Sequence, residues 1–388
     1  MPVDAGGLAH RRGSQTAIPC LFMRGGTSRG PFFDERTLPA DVATRDAVLL
    51  AALGSPDERQ IDGIGGAHPL TSKVGLVGPG TRPGVDVEWT FGQVQPGRTG
   101  VDVTSNCGNM LAAVLPFAVE TGLVVPAADR TTARVLTRNT GMVAEIAIRT
   151  PAGPDGTRHV DYAGEARIDG VPGSAAPIEI GFLDTAGSVA GSLLPTGNER
   201  DTVEVPEVGS VDVTLIDNGQ PLVIVEAGRL GATGYEEPAE IDGDDVLKAK
   251  VEALRLVCGH AMGLGDVTDQ NYPKMTLVAP PRHGGDVSTR SLIPRVAHRS
   301  IGVLAAVTAA TACVLEGSVA HRVATVGAEP TVSVEHPAGE FSVTLGLDPA
   351  DPQRVVRSGL LRTARLLMSG EVLVPASLWN PLAKERSA

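Results

Sequence analysis

The chain has 388 residues, 42% apolar and 20% charged, with 47 glycines and 29 prolines. That is enough apolar chain for two or three domains with real cores, and too little charge for a disordered one. The formal charge of −12 argues against a nucleic-acid partner, since no basic surplus is present to neutralise phosphates, but it leaves room for a small anionic substrate held by a local positive site.

Residues 1–16 carry Asp4, His10, Arg11 and Arg12 without an apolar core, so they read as a loose tail and not as a secretory signal. Short β-type runs broken by glycine and proline follow, predicting strands at 18–23, 74–77, 85–91, 134–137 and 143–148. The second half repeats the style, with strands predicted at 211–216, 222–226, 275–279, 331–335 and 341–345. Helices are expected at 40–53, 109–121, 244–259, 301–316 and 358–369. Those at 109–121 and 301–316 are apolar nearly all round and should be buried. The longest apolar stretch, 301–315, falls short of the roughly 20 residues a membrane span requires. Cys20, Cys107, Cys258 and Cys313 show no CxxC spacing, as expected of cytosolic thiols. Many strands with two buried helices predict an α+β fold.

Internal repetition organises this pattern. Leu111-Ala112-Ala113-Val114 recurs as Leu304-Ala305-Ala306-Val307, and the same offset places Cys107 on Ser300 and Gly25-Gly26 on Asn218-Gly219. Upstream of each buried helix, Lys73-Val74-Gly75-Leu76-Val77 matches Lys274-Met275-Thr276-Leu277-Val278, and downstream Asn139-Thr140-Gly141 lies opposite His336-Pro337-Ala338-Gly339. Four matches in one order predict a duplicated domain, 17–205 followed by 206–388, with a ligand site at the interface of the halves.

Cys107 stands directly before the first buried helix, flanked by Asn106, Gly108 and Asn109. The positive end of a helix dipole makes a thiol reactive, and exposed N–H groups there can hold a carboxylate or an enolate oxygen. The other three cysteines lie in apolar contexts and read as buried, inert residues. Lys73 has two readings: an edge-strand lysine in solvent, or a buried base. Lys274 at the equivalent place adds weight to the second. The glycine turn Arg24-Gly25-Gly26-Thr27-Ser28 permits close approach to a ligand, and Arg24 and Arg29 could pair with carboxylates. Neither a dinucleotide fingerprint nor a P-loop is present, and metal-ligand spacings and the GxSxG hydrolase motif are missing too.

Asn106-Cys107-Gly108-Asn109 resembles the active-site motif of the diaminopimelate epimerase superfamily, in which two cysteines, one per half, work across a cleft as base and acid. Here Ser300 stands at the second position. Residues 23–28 with Lys73 and Asp169-Gly170-Val171-Pro172-Gly173 resemble the PrpF branch, whose members isomerise unsaturated tricarboxylates without a cofactor. Segments 193–198, 216–219, 234–236, 264–267 and 271–275, His298 with Ser300-Ile301-Gly302, and Val334-Glu335-His336-Pro337 are similar to the 4-oxalomesaconate tautomerases of gallate and protocatechuate breakdown. Methylaconitate isomerases share the first-half motifs. The similarity runs from about residue 17 to 375 and departs at Arg29, where a lysine is usual.

The resemblance implies two halves, each a barrel-like sheet around a central helix, with the site in a cleft. It implies a small tricarboxylate substrate, no cofactor, no metal, a cytoplasmic location and a homodimer. On that reading Lys73 and Cys107 form the acid–base pair. Arg24, Gly25, Gly26, Thr27, Ser28, Asn106, Gly108, Asn109, Asn218, Lys274, Ser300, Ile301 and Gly302 hold the substrate. Ser300 is expected to bind and not to transfer protons, since a serine hydroxyl is a poor base without a neighbour to activate it.

Overall fold

Runs of Val, Ile, Thr and Phe between glycine turns set the strands, and the two Ala-rich apolar stretches set helices that those strands enclose. In a computed structural model, which describes residues 7–103, 107–182, 185–206, 208–327, 331–348 and 350–381, the chain divides into two units. Unit 1 is Met1–Gly181 with Leu361–Ala388, and unit 2 is Phe182–Leu360.

In chain order the elements are β1 (His10–Arg12), β2 (Gln15–Gly25), β3 (Ser28–Asp34), α1 (Val42–Leu53), β4 (Lys73–Pro79), β5 (Val87–Val94) and β6 (Val101–Asp102). Then come α2 (Gly108–Leu111), α3 (Val114–Glu120), β7 (Arg130–Thr137), β8 (Met142–Arg149) and β9 (Ile178–Phe182). Next are β10 (Asp201–Val205), β11 (Gly209–Asp217), β12 (Pro221–Glu226), α4 (Ala227–Leu230), α5 (Pro238–Gly243) and α6 (Asp245–Ala261). The rest are β13 (Lys274–Ala279), β14 (Val287–Leu292), α7 (Val303–Val314), α8 (Val319–Val323), β15 (Thr331–His336), β16 (Gly339–Asp348), β17 (Asp351–Arg362) and β18 (Ala364–Pro375).

In unit 1, β2 and β3 form an antiparallel hairpin, β4 joins β3 in parallel, β5 runs antiparallel to β4, β7 parallel to β5 and β8 antiparallel to β7. In unit 2 the hairpin is β11–β12, and β13, β14, β15 and β16 add in the same parallel–antiparallel alternation. A helix follows each hairpin (α1, or α6 after the short α4 and α5), and a buried one precedes the last parallel strand (α2–α3 or α7). The duplicated order read from the sequence is therefore present in the topology, and the fold is α+β. Met110, Leu111, Val114, Leu115 and Phe117 fill the core of unit 1, and every residue from Ala305 to Cys313 is buried in unit 2. The two helices lie against the strands of their own unit, α3 on β4, β5, β7 and β8, α7 on β11, β12, β15 and β16.

Four expectations need correction. Residues 10–12 are not loose tail: they pair with β2 from His10↔Ala17 to Arg12↔Gln15 across a turn at Gly13, whose φ is 66°. The helix predicted at 109–121 is broken into α2 and α3. Pro116 has no N–H for the carbonyl four residues back, at Ala112, where the first helix stops. Residues 358–369, predicted helical, lie in β17 and β18. Ser358, Leu360 and Arg362 are all buried, an alternation of period 2 that the polar Ser and Arg hide from any hydrophobic pattern. Finally, the division expected near residue 205 falls at the β10–β11 hairpin turn inside unit 2. The last strand, β18, belongs to unit 1, where it pairs with β2 from Ala364↔Gly25 to Pro375↔Gln15. Among the described residues no helix is long and apolar enough to cross a membrane.

Gly30 shows how tightly the hairpin meets the parallel strand: a Cβ there would lie 1.8 Å from the Lys73 carbonyl oxygen. Gly30→Ala should cost about 1–3 kcal/mol, the usual range for overpacking, and lower Tm by several degrees. Gly100→Ala, where a Cβ meets nothing within 4 Å, should leave Tm unchanged. Thermal denaturation of both variants checks this, and equal Tm values would refute the packing argument.

Candidate active site

In unit 1 the hairpin turn lies directly on the start of the buried helix. A Cβ on Gly25 would fall 2.3 Å from the Asn109 carbonyl oxygen, and one on Gly26, whose φ is 52°, would fall 2.1 Å from Asn109 Oδ1. Only glycine permits this approach. Asn109 Nδ2 donates to Thr27 Oγ1 at 2.9 Å, which ties turn to helix. Gly170, at φ 79°, adjoins the same turn, since a Cβ there would sit 2.9 Å from Thr27 Cγ2. Arg24, expected to hold a carboxylate, braces the turn through one nitrogen. Its Nη1 donates to the carbonyls of Gly26 (2.9 Å) and Thr363 (3.1 Å) and to Thr363 Oγ1 (3.0 Å). Arg29 is exposed over the Phe22 ring.

Ser28 Oγ is the unusual atom here. It is buried with no hydrogen-bond partner among the described residues, a condition that costs about 1–3 kcal/mol until some group supplies a bond. Cys107 caps α2 in extended conformation (φ −132°, ψ 99°) and is half-buried. Its carbonyl accepts from Leu111 N–H at 2.9 Å, and its thiol makes no cap bond. Gly108 is buried in the first turn. Asn106 lies outside the described residues.

Lys73 is the buried lysine of the two readings, 7% exposed at the head of β4. Its Nζ donates to Gln93 Oε1 at 2.5 Å and lies 4.9 Å from the centre of the Phe91 ring. Gln93 is itself fixed, because Nε2 donates to the carbonyls of Pro69 and Ser72, each at 3.0 Å. Nζ is thus positioned by a clamped amide and an aromatic face.

Unit 2 gathers a different set. Lys274 heads β13, half-buried, and burial lowers its pKa below the ordinary lysine value. Its Nζ would lie 3.9 Å from a Cβ on Gly302, the N-cap of α7, which has no side-chain cap bond. Ser300 N–H donates to His298 Nδ1 at 2.8 Å, and Ser300 Oγ meets His336 Nε2 at 3.3 Å. Burial, and then the Lys274 charge, lower the His298 pKa, so that ring is neutral at pH 7. Ile301 is buried. Asn218, expected to touch substrate, is 4% exposed and spends its amide inside the unit. Nδ2 donates to Thr311 Oγ1 at 2.9 Å, and Oδ1 accepts from Thr185 Oγ1 at 2.5 Å.

The structure thus joins Gly25, Gly26, Thr27 and Asn109 in one cluster, and Lys274, Ser300 and Gly302 in another. His298 and His336, which contact Ser300, were not among the residues expected at the site. The signal for His336 was its place in the repeat, opposite the Asn139 turn, which joins β7 to β8 as residues 337–338 join β15 to β16.

Residues 15–375 match the family described as PrpF protein. This chain belongs to the PrpF family. It is 53% identical to the (4E)-oxalomesaconate Delta-isomerase of Novosphingobium sp. (strain KA1), covering 95% of this chain and 100% of that one. It is 50% identical to the 4-oxalomesaconate tautomerase of Pseudomonas putida, covering 94% and 98%. A solved methylitaconate-delta-isomerase is 35% identical with a TM-score of 0.81, covering 94% of this chain and 97% of that one. The protein is accordingly an isomerase of α+β fold.

Its cysteines differ sharply in setting. No disulfide joins them, and Cys20, Cys258 and Cys313 are fully buried while Cys107 is not. Burial pushes the Cys20 and Cys258 thiols up to about 12 and raises that of Cys313 as well. Limiting iodoacetamide near neutral pH should therefore label Cys107 first, with activity lost in step. Peptide mapping by mass spectrometry reads the order, and earlier labelling of any other cysteine contradicts the site.

Proposed function

We propose that this protein interconverts isomers of 4-oxalomesaconate by a proton shift, with Lys73 and Cys107 as the base and acid. The observation that carries the reading is the 50–53% identity, over 94–95% of this chain, to two relatives both named for that compound. The chemistry fits the residues. A C–H beside an alkene conjugated to a ketone and carboxylates is acidic because its anion spreads into a dienolate. One group removes that proton. The other returns a proton at the far carbon, moving the double bond, or at oxygen, giving the enol. Neither route needs a redox partner.

Carboxylates and dienolate oxygen require donors placed beforehand. In unit 1, Ser28 Oγ is a buried hydroxyl without a partner among the described residues, on the residue after Thr27, which Asn109 bonds. In unit 2, Lys274, Ser300 and the open amide end of the twelve-residue α7 offer a carboxylate site. A second reading, the same proton shift on a smaller methylitaconate-like substrate, is favoured by the 35% identical solved relative. Relative kcat/KM on the two substrates separates them.

Replacing Lys73 or Cys107 with Ala should lower kcat by about 10² to 10⁴, the usual worth of a general acid or base, with Tm nearly unchanged for Cys107→Ala. Steady-state turnover of 4-oxalomesaconate checks this. Wild-type kcat in either variant would remove that residue from the proton transfer.

A further inference from the structure

Ser300 does have a neighbour that sets its hydroxyl. Ala338 N–H donates to His336 Nδ1 at 3.2 Å, so that nitrogen is an acceptor and the neutral ring carries its proton on Nε2. Nε2 in turn faces Ser300 Oγ at 3.3 Å. With Nε2–H donating into Oγ, the serine O–H must point elsewhere. Ser300 is also held from its other side: its main-chain N–H is taken by His298 Nδ1 at 2.8 Å, and His298 N–H is tied to the Ser291 carbonyl at 2.8 Å. Backbone and side chain of Ser300 are therefore fixed by two imidazoles from separate segments, the end of β15 and the loop after β14. The result is a polarised hydroxyl donor beside Lys274 and the open end of α7.

We infer that His336 is a positioning residue for substrate binding: by donating Nε2–H to Ser300 Oγ it orients the Ser300 hydroxyl to donate to a substrate carboxylate. The inference rests on the proposed reading that Ser300 and Lys274 hold such a carboxylate. It accounts for a serine where the repeat has Cys107. The position calls for an oriented donor, and an imidazole tied to the Ala338 N–H supplies that orientation.

Two readouts test it on the whole protein: KM and kcat with 4-oxalomesaconate, and the calorimetric Kd of tricarballylate, a saturated tricarboxylate that cannot react. His336→Ala and Ser300→Ala should each raise KM and Kd by about tenfold to a hundredfold, the worth of one hydrogen bond to a charged group, with kcat changed far less. The double variant should be no worse than either single one, because the two residues act as a unit. His336→Gln, whose amide nitrogen can reach the Nε2 position, should recover most of the affinity. His336→Asn, which reaches only the Nδ1 position, should not. The Gln and Asn pair keeps the comparison open if the Ala variant fails to fold. Wild-type affinity in His336→Ala, full additivity with Ser300→Ala, or equal rescue by Asn and Gln would overturn the inference, the last reducing His336 to a brace for the turn. If wild-type protein leaves 4-oxalomesaconate unchanged, the proposed function falls, while the tricarballylate series still decides the role of His336.

Discussion

Each unit is organised around one close approach, a glycine turn seated on the first turn of a buried helix. In unit 1 the turn glycines 25 and 26 have no room for a Cβ against Asn109. In unit 2, Gly219, at φ 92°, sits over Leu304, 3.1 Å from where its Cβ would be. Because the strands on both sides of the turn are paired, the turn cannot withdraw, and the helix start is held at the end of the sheet. This brings the donors of the turn and the cap residue of the helix into one neighbourhood without any long loop. Thr27 and Asn109 are bonded there, and Cys107 caps the same helix.

The two units carry different chemistry on this shared frame. The lysine at the head of the inner strand is buried against an amide and an aromatic ring in unit 1. In unit 2 it stands near an open helix end, with its pKa lowered by desolvation. A half-buried thiol caps the helix in one. In the other, a serine two residues before the cap is held between two histidines. The topology is shared between the units, and they differ at a few positions: Cys107 before one buried helix, Ser300 before the other.

Much of this was legible from residue order. The strands could be read because β-branched runs end at glycines whose positive φ makes the turns, Gly26 and Gly219 among them. The duplication could be read because the buried helices keep an Ala-rich pattern that few other environments require. What was hidden is non-local. Segment 358–369 looks helical until the pairing of β18 with the eleven-residue β2 is known, since Ser358 and Arg362 disguise the alternation of β17. The histidines around Ser300 come from residues 298 and 336, joined only by the folding of β15 back beside the loop. Arg24 and Asn218 show the converse. Polar residues at a glycine turn suggest ligand contact, yet such residues also tie a turn to its surroundings: Arg24 bonds the carbonyls of Gly26 and Thr363, and Asn218 bonds Thr311 and Thr185.

The proposed reaction moves one proton on 4-oxalomesaconate through a base and a separate acid that both exchange with water. Proton NMR of the wild-type reaction in deuterium oxide tests it most directly. The expected result is conversion with one solvent deuterium gained at the newly protonated carbon per turnover, or loss of the allylic proton signal if the enol is the product. Conversion with the original proton fully retained would contradict it, and so would unchanged substrate.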